Sequence, residues 1–484
     1  MFDVRPVGNV IGWMILFLGV IMLLPLVLSI FAADGEWVAW VISSGLTSLV
    51  GTILILATFS KQITKFGTNN RQTFLFVFCI YVVIPFLGAL PFIFGTPNLS
   101  LIDAYFETIS GLTTTGATVL TNLEEMPKGI LLWRGLLQWI GGILIIIIAM
   151  TILPWFRVSG MQFIMDRSYQ KMQTVLPDAT TNAKWVMVSY LIITLLCFLS
   201  YSSVGLSIFD SVIHSMTTVA TGGYGNYDNS FTQLGVPAEY VAIIFMIAAS
   251  LPFILYVESI RGSRTTMFKD SQVRFFLSII AVIALVLIAW LMLVNGFDTE
   301  AAIRKALFNG VSILTGTGYV SADYNGWGAF PVVVFFFIGL IGGCVGSTSC
   351  SIKVFRYQLL LAAIIAQIKK IITPNAIINA KIGTRTISKE VLTSVILFFF
   401  MFMVTLVIMA LLLSLTGLDF ITAVSGSGAA LANIGPGLGE IIGPNGNYQS
   451  LNQMAKVILS ATMIIGRLEF LVVYVILSLK FWQS

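Results

Sequence analysis

Long stretches of the chain carry almost no charge, and polar residues gather in short clusters between them. Ten apolar runs stand out, at about 7–31, 36–59, 72–95, 130–153, 184–207, 238–257, 273–295, 329–350, 391–416 and 455–479. A helix crossing the ~30 Å hydrocarbon core of a bilayer needs roughly 20 apolar residues, so each run predicts one membrane span. The first run exceeds the roughly 7–15-residue apolar region of a cleaved signal peptide and lacks a strongly basic start. It reads as a retained span.

The clusters between the runs differ in sign. One side holds the N-terminus, the loops near 60–71, 154–184, 258–274 and 351–390, and the C-terminal tail; it carries 20 of the 26 basic residues. The other side carries 14 of the 21 acids, among them Asp34, Glu36, Glu124, Glu125, Asp228, Glu239, Asp323 and Glu440. Basic loops stay cytoplasmic, which places both termini inside. An acidic outer face also concentrates cations at an entrance.

Parity then demands a further element. Between the basic loops at 60–71 and 154–184 lie two full runs and a shorter apolar segment at 100–112. That segment is too short to cross, and a third crossing would put a basic loop on the wrong side. It reads as a helix that dips in from outside and returns. The same unit of span, short helix, glycine-bearing turn and span recurs.

The four turns are TTTGAT (113–118), ATGGYG (220–225), LTGTGY (314–319) and ANIGPG (432–437). Aligned on Gly116, Gly223, Gly318 and Gly435, they stand 107, 95 and 117 residues apart. Twelve residues before each glycine is a small residue, Ala104, Ser211, Ala306 or Ala423. Asp103 and Asp210 read as N-caps of the short helices, with Glu300 and Asp419 a little further upstream. Repetition at this scale carries more weight than any single motif. The expected fold is an all-α integral membrane protein of ten spans and four re-entrant pore helices. Four parallel span–pore-helix–span repeats would surround one central pore. Their boundaries are expected at 72–183, 184–272, 273–390 and 391–484, with 1–71 forming two extra N-terminal spans.

Composition agrees. Of 484 residues, 57% are hydrophobic and 10% charged, with a mean hydropathy of +0.97; ordinary globular chains hold about 45–50% and about 25%. Disordered, collagen-like, disulfide-stapled and nucleic-acid-binding classes are excluded. Cys79, Cys197, Cys344 and Cys350 show neither CxxC spacing nor a nearby histidine set, and read as lone thiols.

Irregular backbone at membrane depth is tolerated only inside protein or along a water-filled path. Four short helices would aim partially negative C-terminal ends at one spot, where a cation is favoured. The turns beyond them would present carbonyls, as filters that replace a hydration shell do. Glycine supplies the positive φ and removes an obstructing side chain. Thr114, Thr115, Thr221, Thr315, Thr317 and Asn433 are placed to add side-chain oxygens. The bland alternative is four tight turns. GPGLG at 435–439 has no preceding strand, and no GKS or GKT follows a glycine run, so a phosphate loop is a poor fit. His214, in the second short helix, reads as a packed, hydrogen-bonded residue, the alternative being a ligand or proton carrier. No catalytic constellation argues for a membrane-embedded enzyme.

Two further features lie below the turns. Apolar character from 329 continues to about 368, far more than one span needs, so a break is expected near the run that follows Gly339, Gly342, Gly343 and Gly346: Ser347, Thr348, Ser349, Cys350 and Ser351. That run reads as a hydroxyl-lined gate loop, or else as a small-residue packing surface. Arg467 lies mid-span, where a charge usually faces a cavity or a partner. It reads as facing the pore axis, the alternative being an ion pair with another helix. Glu469 is the one evident mid-span acid. The stretch 353–389 carries seven basic residues, with an amphipathic piece at 357–372, and fits anionic lipid.

The strings ETISGLTTTGAT, IGGCVGS, LANIGPGLGE and IIGRLEF resemble the Trk/Ktr/HKT superfamily of potassium transporters, and the resemblance covers essentially the whole chain. It implies a filter made of Gly116 with Thr114 and Thr115, Gly223 with Thr221 and Gly222, Gly318 with Gly316 and Thr317, and Gly435 with Asn433 and Ile434. Relatives with serine at the first glycine admit sodium, so Gly116 implies potassium preference. It also implies a gate at Gly342, Gly343, Gly346, Ser347, Thr348 and Ser349, where this chain departs from the family's glycine-rich loop at Ser349, Cys350 and Ser351. Arg467 carries over as a pore-lining arginine. The implied setting is a homodimer in the bacterial inner membrane, docked to a cytosolic nucleotide-binding ring (TrkA-like) that opens the gate. The transported ion is potassium, with rubidium permeant, and this chain itself binds no nucleotide. The expected activity is channel-like potassium uptake, the alternative being transport coupled to protons or sodium.

Overall fold

The computed structural model describes residues 3–59, 70–151, 179–260, 266–383, 385–468 and 470–483. Most of the basic loops near 60–71 and 154–184, with Arg261, Arg264 and Glu469, lie outside the described residues. The principal helices begin with α1 (Arg5–Ala32), α2 (Trp37–Thr58), α3 (Arg71–Phe94), α4 (Leu101–Leu112), α5 (Lys128–Thr151) and α6 (Ala179–Ser203). They continue with α7 (Ile208–Val219), α8 (Val236–Ala249), α9 (Phe253–Ile260), α10 (Ser271–Leu293), α11 (Thr299–Thr315) and α12 (Ala329–Gly339). The chain closes with α13 (Val354–Ile372), α14 (Lys389–Leu415), α15 (Phe420–Ala432), α16 (Gln453–Arg467) and α17 (Leu471–Leu477). The order long helix, short helix, long or broken helix occurs four times, as α3–α4–α5, α6–α7–α8, α10–α11–α12 and α14–α15–α16. A two-stranded antiparallel hairpin pairs Lys381 with Thr386 and Ile382 with Arg385.

The helices form where expected, but three of the ten expected spans are not continuous. Among the described residues seven helices are long and apolar enough to cross a membrane, and the pair α8 and α9 makes an eighth with an 89° bend. The bend falls at Ser250–Pro252. Proline has no N–H to give its helix, and the carbonyls freed there find new donors. Ser250 O accepts from the Cys344 N–H at 3.0 Å, and Ala249 O from the Thr348 hydroxyl at 3.0 Å. The eighth run stops at Gly339, resumes as α13 and leaves 340–353 irregular, which bears out the expected break. The tenth run is also divided, α16 ending at Arg467 and α17 beginning at Leu471, with Phe470 at a φ of 41°. Averaged hydropathy does not register such breaks, because irregular backbone enclosed by protein needs no polar sequence around it.

The short helices start at serine or aspartate, and here two expectations are corrected. Asp103 and Asp210 are not the N-caps of α4 and α7. Ser100 and Ser207 are, each accepting from the backbone N–H of the aspartate three residues on (3.2 and 3.0 Å) and donating its hydroxyl to that carboxylate (2.8 and 2.6 Å). Each serine thus caps its helix while the aspartate in the first turn accepts its hydroxyl hydrogen bond. Asp298 caps α11 through Ala301 N–H, and Asp419 caps α15 through Ile421 and Thr422 N–H.

Candidate functional site

Each short helix ends in a left-handed residue two positions before its aligned glycine: Thr114 (φ 52°), Thr221 (49°), Gly316 (79°) and Asn433 (53°). In three turns the next N–H bonds back to the carbonyl five residues earlier: Thr115 to Ser110 at 2.8 Å, Gly222 to Thr217 at 2.9 Å and Ile434 to Ala429 at 2.9 Å. This is a Schellman closure. In the third turn Gly318 N–H takes that role on Ser312 O at 3.2 Å. The helix ends are thereby sealed, and the chain leaves each one without regular secondary structure.

The four turns meet. An ideal Cβ on Gly116 would lie 2.2 Å from Gly222 O, and one on Gly223 only 2.0 Å from Thr317 O. On Gly318 it would lie 3.0 Å from Gly435 N, and on Gly435 it would lie 2.9 Å from Gly116 O. Each aligned glycine abuts the next turn in chain order, and the fourth abuts the first. The ring closes. Gly116, Gly223 and Gly318 have φ of 87°, 82° and 82°. Gly435 is absent from the left-handed region, so there the close approach alone requires glycine, a correction to the uniform expectation of positive φ.

All four glycines line one cavity of about 240 Å³, bordered also by Tyr227, Asp228, Asn229 and Arg134. The side chains expected to add oxygens are largely engaged. Thr115 Oγ1 bonds Thr113 Oγ1 at 2.7 Å, Thr317 Oγ1 bonds Thr315 Oγ1 at 2.8 Å, and Thr221 donates to Ala220 O. Asn433 Nδ2 donates to Thr115 Oγ1 (3.1 Å) and Met463 O (2.9 Å), tying the fourth turn to the first.

On the far side of the ring from the cavity lies the 340–353 loop, folded on itself and largely buried. Gly342 lets Cys350 O approach, since a Cβ there would sit 2.2 Å from that oxygen, and Gly343 N–H donates to Ser349 Oγ at 2.8 Å. Ser349 Oγ donates to Thr315 O (2.6 Å), and Ser351 N–H donates to Ala432 O (3.1 Å), so the loop is fastened to the C-terminal ends of α11 and α15. Thr348 and Gly346 fasten it to the α8–α9 bend, and Ser347 Oγ donates to Cys344 O. Cys350 Sγ lies 3.4 Å from Thr114 Oγ1 and accepts from Arg467 Nη1. Arg467 is buried, its Nη2 donates to Gly141 O at 3.4 Å, and it makes no ion pair with a described carboxylate. Guanidinium, loop and first turn are therefore in one cluster.

Sequence reasoning missed the groups that hold the turns from behind. Glu107 on α4 is wholly buried and pairs with Arg134 Nε at 2.9 Å. Arg134 Nη1 also donates to Gly225 O (2.9 Å), and its guanidinium stacks 4.1 Å from the Tyr224 ring centre. The Tyr224 hydroxyl donates to Glu107 O at 2.7 Å, lacing the second turn to α4. Tyr319 makes the corresponding bond from the third turn to Thr217 Oγ1 on α7. Glutamine and arginine inside the apolar run 130–153 were the available signal, since polar groups at membrane depth are rarely incidental. His214 is packed against Tyr201, Phe231 and Tyr319, with Nδ1 2.9 Å from Asp210 O. No cluster of metal-ligating residues occurs among the described residues, and the four cysteines are free thiols.

Residues 41–484 match the TrkH family, described as a cation transport protein. The Trk system potassium uptake protein TrkI of Halomonas elongata is 36% identical over 481 residues, covering 99% of this chain and 97% of that protein. TrkH of Salmonella typhimurium is 32% identical over 486 residues, covering 99% of each. The crystal structure of the potassium transporter TrkH from Vibrio parahaemolyticus has a TM-score of 0.91 at 31% identity and covers 100% of both chains.

Proposed function

The chain belongs to the TrkH family of cation transport proteins, and we propose that it takes up potassium passively through the ring of four turns. Potassium enters from the acidic outer face into the 240 Å³ cavity and exchanges its hydration shell for turn carbonyls. It then passes the level of the 340–353 loop, which gates the pathway, and leaves on the basic, cytoplasmic side. Gly116, Gly223, Gly318 and Gly435 with the two residues before each form the filter. Arg467 faces the pathway beneath it, and a fixed positive charge there shortens cation dwell time. One charge moving through 100 mV releases about 2.3 kcal/mol, enough to drive uptake without a coupled ion.

The observation that carries this reading is the closed cycle of contacts from Gly116 through Gly223 and Gly318 to Gly435. A ring of backbone at membrane depth, ringed by helix C-termini, suits a cation. Burial of Glu107 against Arg134 favours the passive reading over proton coupling, because that carboxylate is already neutralised. The division into four repeats at 72–183, 184–272, 273–390 and 391–484 belongs to the same proposal. So do the homodimer, the inner-membrane setting with both termini cytoplasmic, and docking of a TrkA-like ring or anionic lipid on the basic 353–389 face. The test is rubidium-86 uptake into liposomes holding the chain, with and without its cytosolic partner, competed by potassium, sodium and lithium. Potassium competes far better than sodium, and Gly116→Ser narrows the difference; equal competition by all three ions would refute the filter.

A further inference from the structure

We infer that Gln138 is a positioning residue that sets how strictly the ring discriminates among monovalent cations, an inference that rests on the four turns being the filter. Gln138 stands on α5 and is fully buried. Its Nε2 donates to Gly222 O at 2.6 Å, and its Oε1 accepts from Tyr224 N–H at 3.1 Å. The amide thus brackets Gly223 from both sides. Gly222 O is the same atom that stands 2.2 Å from the Cβ position of Gly116, so the side chain holds the contact between the first and second turns.

The helix reaches this place because its next turn is made of small residues. A Cβ on Gly141 would lie 2.1 Å from Leu112 O, at the end of α4. One on Gly142 would lie 3.0 Å from Ala220 Cα, at the end of α7. The α5 backbone therefore rests directly against both helix ends, and the residue one turn away is brought to the second turn. A buried primary amide is costly unless both ends are bonded; here both are bonded to filter backbone.

The tether at this level is particular to the second turn, the fourth being held one residue on, where the Tyr448 hydroxyl donates to Gly435 O at 2.8 Å. The equivalent carbonyls of Thr115, Thr317 and Ile434 accept no side-chain hydrogen bond from the described residues. A ring of carbonyls rejects a small ion to the extent that its oxygens resist closing in, and flexible dipoles resist weakly. Holding Gly222 O from behind stiffens one quarter of the ring. Sodium and lithium, which need contraction, are the ions this penalises.

The experiment compares Gln138→Met, which keeps length and burial but loses both bonds, with Gln138→Glu. The carboxylate still accepts from Tyr224 N–H but cannot donate to Gly222 O. Competition of rubidium-86 uptake by potassium, sodium and lithium is measured in liposomes, with the melting temperature followed in detergent and Gly116→Ser run in parallel. Both variants fold, and the preference for potassium over sodium falls about tenfold, the scale of one lost hydrogen bond. An unchanged preference in folded Gln138→Met overturns the inference, as does failure of both variants to fold, which marks a purely structural residue. If Gly116→Ser relaxes the preference while the Gln138 variants do not, Gln138 alone loses its role. If none of the three changes it, the filter reading itself falls.

Discussion

The carbonyl oxygen of Gly222 occupies the place that a side chain at Gly116 would take, 2.2 Å from the ideal Cβ position. Gly116 also sits at a φ of 87°, so backbone conformation and neighbour both penalise a larger residue, which the ring takes only by shifting Gly222 O. Gly223 is held in the same way by Thr317 O at 2.0 Å, whereas Gly435 is constrained only by a 2.9 Å approach to Gly116 O. The three positions make the ring unequal in its tolerance.

Alanine at Gly116 or Gly223 is expected to cost on the order of 1–3 kcal/mol of backbone strain and to abolish selective uptake. Gly435→Ala, without the φ penalty, is expected to retain more of both. Thermal unfolding in detergent together with rubidium uptake ranks the three; Gly435→Ala as damaging as the others would contradict the ring geometry.

The Glu107–Arg134 pair is buried on both sides, and removing one partner of such a pair typically costs about 3–5 kcal/mol. Glu107→Gln should lower the melting temperature sharply. Restoring neutrality with Arg134→Gln in the same chain should recover part of the loss. A double variant no better than the single one would mean that the hydrogen bonds of Arg134 to Gly225 and Thr118 matter more than its charge.

Cys350 links Arg467 to Thr114, and Ser349 and Ser351 hang the loop from Thr315 O and Ala432 O. Deleting 347–351 is expected to raise resting rubidium flux several-fold. Arg467→Ala should raise it as well, by releasing Cys350 and removing a positive charge from the path. Unchanged flux in the folded deletion variant would remove the gating role of the loop.

Asn433 holds a left-handed φ of 53° while donating to both Thr115 Oγ1 and Met463 O. Asn433→Gly keeps the backbone and loses the bonds; Asn433→Ala loses both and costs about 1 kcal/mol more, the scale of a left-handed penalty. Comparing their melting temperatures separates the two contributions. Equal losses would mean that the conformation carries no penalty.

The ring was legible because its chemistry is local. A glycine one or two residues after a threonine at the end of a short helix reads the same way in three of the four turns, and the parity of basic loops predicts that those helices re-enter. What stayed hidden was decided by tertiary contact. Ser100 and Ser207 were passed over as caps because the aspartates beside them are also strong cap residues. The breaks after Ala249 and after Arg467 fall inside runs that are apolar on average; Pro252 and Arg467 were the local signs, but the donor that satisfies Ser250 O comes from Cys344, far along the chain. Gln138 and Arg134 show only as polar residues in an apolar helix, and their partners, Gly222 O and Glu107, lie 84 and 27 residues away.

The central claim is passive, potassium-selective flow through the ring. The zero-current voltage across a bilayer containing the chain, or its 347–351 deletion, under opposed potassium and proton gradients tests it most directly. The voltage is predicted to follow the potassium gradient, to ignore the proton gradient, and to move towards the sodium potential in Gly116→Ser. A voltage that tracks the proton gradient would contradict the account and establish a coupled carrier in its place.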